Sequence, residues 1–434
     1  MTSGRVTRRI MPVAAGVLMI FTTVATPAGA MAVSPASAYG PLPPYRTAAD
    51  LAGAGARPAG CAVPTRPGAA RCYLAAEPAT AVAAQVLETG CTVNEQDGYS
   101  PCNIQHAYKL PSLSGKRGKG QTVAVIDAFD DPDAGPDLAT YRSAFSLPVC
   151  SAGNGCYKKV NQNGDEGNYP AGNMGWGQEI SGDLDMVSAI CPRCHILLVE
   201  ASSDTFSDLF TAEQEAVKLG AHVVSLSWGS GEFSGEGSDD SMLDTPGVEV
   251  TASSGDGAYQ GGVQYPSASP DVTSVGGTEL TPATSKRGWI EKTWVTAGAS
   301  PPAQGSASGC SAYESKPKWQ HDHGCAERTT ADVSAVAANV LGYDSYESGG
   351  GGWFFFFGTS LSSPITAAIY GLAGNIGSES LPGAALPYSH RTHFYDITRG
   401  LATGTCSPHR YLCKAIRGYD GPTGLGTPFG AGGF

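Results

Sequence analysis

Charge is what this sequence has least of. Lys, Arg, Asp and Glu make up 15% of its 434 residues, against about 25% in an ordinary soluble domain. The basic side is the smaller, 27 residues against 39 acidic ones, for a net charge of −12. That sign argues against nucleic acid or an anionic membrane surface as a partner. In acid, carboxylates protonate and Lys, Arg and His alone set the charge, so a chain poor in them repels itself little at low pH. Long apolar runs are also scarce. One stands near the start, "IMPVAAGVLMIFTTVA", after Arg5, Arg8 and Arg9 and before the small-residue sequence "TPAGAMA". It is short for a membrane span and reads as a secretory signal cleaved after Ala30 or Ala32. The expectation is a signal peptide over 1–32 and a soluble, secreted, extracellular protein with no membrane partner afterwards. Internal repeats are absent, which excludes a repeat architecture.

A second cysteine pair or spaced histidines to accompany "CPRC" at 191–194 are missing too, so a zinc site is disfavoured against a local disulfide. Twelve cysteines behind a signal suggest disulfides throughout. They fall into sequence pairs: Cys61/Cys72, Cys91/Cys102, Cys150/Cys156, Cys191/Cys194, Cys310/Cys325 and Cys406/Cys413. Sequence alone leaves their connectivity open.

Residues 33–101 are rich in Ala, Pro and Gly with little periodicity, and read as an N-terminal extension or short prosegment. From Cys102 to the end the pattern is α/β. "QTVAVIDAF" (121–129) and "CHILLVEAS" (194–202) are continuous apolar strands of the kind found in a parallel sheet. "SDLFTAEQEAVKLG" is helical, ends at a C-cap Gly220, and leads to the strand "AHVVSLSWG" (221–229). "VEVTASSGDGA" and "DVTSVGG" supply further strands, and "GWFFFF" reads as a fully buried one. Strands alternating with helices imply a mostly parallel central sheet with helices on both faces, and a site outside the carboxyl ends of the strands.

"FGTSLSSPITAA" places Ser360 at a helix N-terminus, a position favourable to negative charge and equally natural for a plain N-cap. A nucleophile there needs a base. His195 and His222 begin buried-looking strands, and His321 and His323 sit in the polar loop "WQHDHGC". Asp127 lies where subtilisin-like proteases carry their acid, but their His-Gly-Thr-His motif is absent. "GQEISGDLD" instead sets Glu179 and Asp183 four apart, on one helix face. Carboxylates that close tend to share a proton; the bland alternative is a solvated acidic face. Asp185 projects elsewhere. At about pH 4 an ordinary histidine is neutral in about one molecule in 300, a deficit of about 3.4 kcal/mol, whereas glutamate exchanges protons there readily. Asp256, in "SSGDGAYQ" just past a strand end, is a turn residue or an acid that could donate to an oxyanion. Such a donor contributes about 2.7–4 kcal/mol, which protonating an unshifted aspartate at pH 7 would cancel at about 4 kcal/mol.

Together "EISGD", "SSGDGAYQGGVQYPSASPDVTSVGGT" and "GTSLSSP" resemble, in order and spacing, the sedolisins, serine-carboxyl peptidases with a subtilisin-like fold. The resemblance covers roughly 102–434. It implies Ser360 as nucleophile, Glu179 as general base, Asp183 as its carboxylate partner and Asp256 as oxyanion acid, with Ser227, Trp228 and Gly229 binding the substrate backbone. "FYDITRG" and "GYDGPTGLGTP" resemble the family's calcium site. One structural Ca²⁺ is implied, on the side chains of Asp396 and Asp420 and the carbonyls of Ile397, Ile416 and Gly418; carbonyls serve calcium as well as carboxylates do. Phe357 stands where the family has a small residue, and Asp185 where it often has Glu. The implied function is a secreted, acid-active serine-carboxyl endopeptidase acting as a monomer on proteins or peptides. The alternatives are a catalytically inactive sedolisin-like binding protein and a neutral Ser-His-Asp protease.

Overall fold

The computed structural model describes residues 61, 63–64, 68–79, 98–296, 304–346, 352–375, 383–402 and 406–434. The expected signal, Cys91 and much of 33–101 lie outside them. In chain order the elements used below begin with β1 (Arg71–Cys72), β2 (Ala75–Pro78), β3 (Thr122–Ala128), α1 (Ala134–Ala144), β4 (Tyr157–Asn161), α2 (Met174–Ile190) and β5 (His195–Ala201). There follow α3 (Phe206–Lys218), β6 (Val223–Leu226), β7 (Trp228–Gly231), β8 (Glu249–Ser253), β9 (Gln264–Tyr265), β10 (Thr273–Pro282) and β11 (Trp289–Thr293). Last come β12 (Val333–Val336), β13 (Val340–Asp344), β14 (Gly352–Phe357) and α4 (Thr359–Ala373).

The central sheet runs β11-β10-β8-β6-β3-β5-β4, with β12 beside β10. All its pairings are parallel except β10 with β11. Alternation along β3 assigns each face. Val123 and Val125 join Ile180 and Leu184 of α2 and Leu361 and Ile365 of α4 in one core cluster. Ala124 and Ile126 join Leu209 and Phe210 of α3 in the other. The sheet is therefore covered on both sides, as its continuous apolar strands predict.

Three local expectations change. The strand read over 221–229 is two: β6 stops at Leu226, and β7 turns away to pair antiparallel with β1 and β9. The phenylalanine run is not wholly buried. It forms β14, the middle strand of a separate antiparallel sheet between β13 and β2, with Phe355 half-buried. And part of the N-terminal extension is built into the fold, because β1 and β2 pair with β7 and β14.

Disulfides join Cys61–Cys72, Cys150–Cys156, Cys191–Cys194, Cys310–Cys325 and Cys406–Cys413. These are five of the sequence pairs; the sixth involves Cys91, outside the described residues. No helix among the described residues is long and apolar enough to cross a membrane.

Many carboxyl groups are buried. Burial alone raises Glu249 to about 8, and burial is the leading cause that lifts Asp131 to about 8 and Asp344 to about 7. Such a group binds its proton more tightly folded than unfolded. Its contribution is complete below the unfolded carboxyl pKa of about 4 and is lost as pH rises through the folded value. Thermal unfolding should therefore occur at its highest temperature near pH 4 and at progressively lower temperatures toward pH 8. Glu249→Gln should flatten part of that slope; a melting temperature that rises steadily to pH 8 would contradict this account.

Candidate active site

The carboxyl ends of β3, β6 and β8 deliver Asp127, Ser227 and Asp256 to one region. Helices α2 and α4, packed together, bring the remaining groups. The start of α2 is fixed by Asn173, whose side chain accepts from the Gly175 and Trp176 amides at 3.0 and 3.1 Å. One turn separates Glu179 from Asp183 on this helix, and both are 0% exposed, which rules out the solvated acidic face.

Ser360 is the second residue of α4, after the N-cap Gly358 at φ +135°. A Cβ at Gly358 would lie 1.8 Å from the Tyr73 carbonyl oxygen, so only glycine fits this turn. Phe357, beside it, does not crowd the serine. Its ring belongs to a small cluster with Trp294, Ala337 and Ala338, and its backbone pairs with Ala75. Pro364 lies in the helix interior and lacks the N–H that would bond the Ser360 carbonyl. That carbonyl accepts instead from Ser227 Oγ at 3.2 Å, and the same hydroxyl also reaches Asp183 Oδ1 at 2.9 Å. Ser227 thus ties the carboxylate of one helix to the first turn of the other. The Ser360 hydroxyl donates to the Ser227 carbonyl at 3.1 Å and accepts from the Tyr73 amide at 3.1 Å.

Burial raises Glu179 well above the ordinary carboxylate range, and the Asp183 charge adds to it; the Ser360 hydroxyl beside it pulls the other way. Asp183 is raised by burial and pulled back by the Ser227 hydroxyl and the Glu179 carboxyl. Asp127 is raised by burial, then by Asp183 and Glu179. Neither oxygen of Glu179 or of Asp127 has a hydrogen bond of good geometry from a described residue. Three neighbouring carboxyls without a cation cannot all ionise, so they share protons as a unit. Asp185 belongs elsewhere: its Oδ2 accepts from the Tyr343 amide at 2.8 Å.

Asp256 stands across from this group. Its Oδ1 accepts from the Thr359 amide and hydroxyl, both at 2.8 Å. Burial raises it to about 7 against the opposing pull of those two bonds, so below that pH it is a neutral acid.

Ser227, Trp228 and Gly229 divide their work. Trp228 is fully buried, packs at a tilt against Phe206 and Phe210, and donates from Nε1 to the Ile126 carbonyl at 2.8 Å. Its side chain is core, while the backbone of Trp228 and Gly229 pairs antiparallel with Cys72 and Arg71. His195 and His222 lie far from Ser360, at the amino ends of their strands. His195 opens β5 at the opposite end of the sheet, and His222 accepts from the Thr122 amide there at 3.2 Å.

Asp396 and Asp420 also come together, well away in sequence from the serine. The Gly418 amide donates to both Asp396 oxygens at 3.1 and 3.2 Å, and the Ile416 amide to Asp420 Oδ2 at 2.9 Å. Burial raises Asp420 to about 8, and the Asp396 charge adds to it. No carbonyl of Ile397, Ile416 or Gly418 accepts a backbone bond from a described residue in the loops. No cluster of three His, Cys, Asp or Glu side chains suited to a metal occurs among the described residues; two carboxylates with carbonyls still form a hard-oxygen set that fits calcium.

Sequence reading missed Tyr73, whose amide donates to the Ser360 hydroxyl, and Thr359, which holds Asp256. It weighed Asp127 only as the acid of a histidine triad. Thr359 was visible as the residue before the serine; nothing in a Pro- and Ala-rich extension signals Tyr73.

The profile of the subtilase family matches residues 118–381. Kumamolisin from Bacillus sp. (strain MN-32) is 27% identical over 368 residues, 76% of this chain and 62% of that protein. Sedolisin from Pseudomonas sp. (strain 101) is 26% identical over 368 residues, 76% of this chain and 60% of that protein. The chain thus spans about three-fifths of the length of these relatives. The structure of Pseudomonas sedolisin, a serine-carboxyl proteinase, superposes with a TM-score of 0.65 at 24% identity, over 76% of this chain and 95% of that one. The fold is therefore subtilisin-like, and the sedolisin resemblance of the motifs extends along the chain.

The two Thr359 bonds favour ionised Asp256. Thr359→Val removes one and keeps the shape, so the Asp256 titration midpoint should rise above about 7. Carboxyl NMR titration on a Ser360→Ala background reads this directly, and a midpoint that falls would refute the assignment.

Proposed function

Because the chain belongs to the subtilase family, we propose that it is a secreted serine-carboxyl endopeptidase working through a Ser360 acyl-enzyme. The observation that carries this reading is the convergence of the Ser360 hydroxyl, the buried Glu179–Asp183 pair and half-buried Asp256 around one extended backbone strand. In the proposed cycle, the Ser360 hydroxyl swings from the Ser227 carbonyl toward Glu179. Glu179 takes its proton as Oγ attacks the scissile carbonyl, then returns it to the leaving amine. Asp183, held by Ser227, keeps a proton in the carboxyl unit while Glu179 ionises. Neutral Asp256 donates to the oxyanion, and water then hydrolyses the ester. Five disulfides support an oxidising, extracellular setting.

Ser360→Ala and Glu179→Gln should each lower cleavage of a protein substrate at acid pH by about a thousandfold or more. Full activity in either purified variant would sink the assignment of Ser360 and Glu179, whereas no digestion by the wild type would favour a binding protein. The chemistry needs Glu179 ionised with Asp256 neutral. The pH profile should therefore be bell-shaped, rising as the Glu179–Asp183–Asp127 unit loses its first proton and falling as Asp256 ionises at about 7. A profile still climbing above pH 8 would favour a histidine base.

We also assign one structural Ca²⁺ to Asp396, Asp420 and the carbonyls of Ile397, Ile416 and Gly418. The ion would neutralise the two converging carboxylates and pin the C-terminal loops. Chelation should lower the melting temperature, and calcium at a hundred times its Kd should restore about 2.7 kcal/mol of stability. Asp396→Asn should erase this response; an unchanged melt in EDTA would remove the site.

A further inference from the structure

Residues 232–244 follow β7 and meet residues 311–314 and β9 through four carboxyl groups. Glu232 accepts from the Ser311 hydroxyl and, at 3.1 Å, from the Ala312 amide. The Ser311 oxygen accepts in turn from the Glu314 amide at 2.7 Å. Glu236 Oε2 accepts from the Phe233 amide at 2.6 Å. The Glu314 carboxyl reaches Gly237, where a Cβ would lie 3.3 Å from its Oε1 and 3.8 Å from Asp240 Oδ2. Asp240 Oδ1 accepts from the Tyr265 hydroxyl at 3.1 Å. Glu236 is 0% and Glu314 4% exposed. Oε1 of each is buried without a hydrogen bond of good geometry from a described residue, and each carboxyl faces a second one, Glu232 for Glu236 and Asp240 for Glu314. Two carboxylates so placed repel, whereas one proton between them makes a bond. Arg328, whose charge acts on Glu314, is already committed. It binds Asp332 at 3.0 and 2.6 Å and the Ser269 and Val272 carbonyls at 3.1 Å each. Asp239 and Asp244 on the same segment, Asp271 after β9 and the Tyr265 phenol also face the group, and none of them is positive.

We propose that the pairs Glu232–Glu236 and Asp240–Glu314 form an acid-closed clasp. With a proton in each pair, they hold residues 232–244 against residues 311–314 and brace β9; with both pairs ionised, they repel and the segment opens. Burial raises Glu236 and Glu314 to about 8, with Glu232 adding to the first and Asp240 to the second. Each therefore binds its proton more tightly in the closed form than in the open one. The contribution of the clasp is complete below the ordinary carboxyl pKa of about 4 and is lost as pH rises through about 8.

Tyr265 connects the clasp to the active-site side of the sheet. Its ring meets Phe233 with centroids 5.7 Å apart, and its backbone pairs with Ser230 of β7. Its carbonyl oxygen lies against Gly229, where a Cβ would come within 2.6 Å of it. Opening the segment releases the Asp240 bond and the Phe233 contact that hold Tyr265, and so loosens the support of Trp228 and Gly229. That consequence for substrate rests on the peptidase reading above; the clasp itself does not.

The test is amide hydrogen exchange read by mass spectrometry on the full chain carrying Ser360→Ala, at pH 5 and pH 8.5, with intrinsic exchange divided out. Protection of residues 232–244 should fall at least about tenfold at the higher pH, and by more than that of β3 or α2. In Glu236→Gln with Glu314→Gln, each amide can donate to the facing carboxylate without a proton, so protection of the segment should stay within about twofold across the same range. Glu232→Gln with Asp240→Asn changes the other, half-buried member of each pair and should give the same flat response if the first double variant does not fold. Equal protection of the wild-type segment at both pH values, a loss shared equally by β3 and α2, or a folded double variant that opens as the wild type does overturns the clasp. Digestion assays decide the peptidase reading and hydrogen exchange decides the clasp, so the failure of either is recognised separately.

Discussion

Three carboxyl groups, those of Asp127, Glu179 and Asp183, are buried together beside one serine, and no cationic side chain of a described residue acts on them. Everything else in the site accommodates that constraint. A buried carboxylate left alone takes up a proton, so the group can ionise only in part, and the partial charge falls where a hydrogen bond favours it. The Ser227 hydroxyl supplies such a bond to Asp183, which leaves Glu179, beside Ser360, without a competing donor. In the mechanism proposed above, a histidine in place of Glu179 would be charged in acid and of no use as a base.

The same constraint sets the local geometry. The carboxyls sit on α2 and the serine on α4, so the helices must approach closely, and Gly182 and Gly358 remove side chains where the strand of residues 73–74 presses in. Pro364 frees one carbonyl of α4, and Ser227 uses it to lock the two helices together. Asp256 is kept apart from the trio and held by Thr359. Separation lets it take a proton near neutrality while the trio titrates on its own terms.

Residues 68–79 are part of this arrangement. They complete two sheets of the domain, and burial at the site is partly the work of that segment, because the Tyr73 amide donates to the Ser360 hydroxyl.

Part of this architecture is legible in local sequence pattern. Continuous apolar strands at 122–128 and 195–201 demanded a sheet covered on both faces, and the four-residue spacing of Glu179 and Asp183 demanded one helical face, because both follow from local period alone. The five described disulfides join cysteines that are close in sequence, a connectivity that sequence alone leaves open. The remaining features depend on contacts between distant segments. The break between β6 and β7 follows from partners contributed by β1 and β9. The burial of Trp228 as core, the turning of Phe357 away from the serine and the seating of Tyr73 on Ser360 are likewise set by neighbours remote in the chain. Tyr73 and Ser360 are 287 residues apart, and no local pattern encodes a pairing over that distance; it exists only once the sheet has brought β7 and α4 to the same edge.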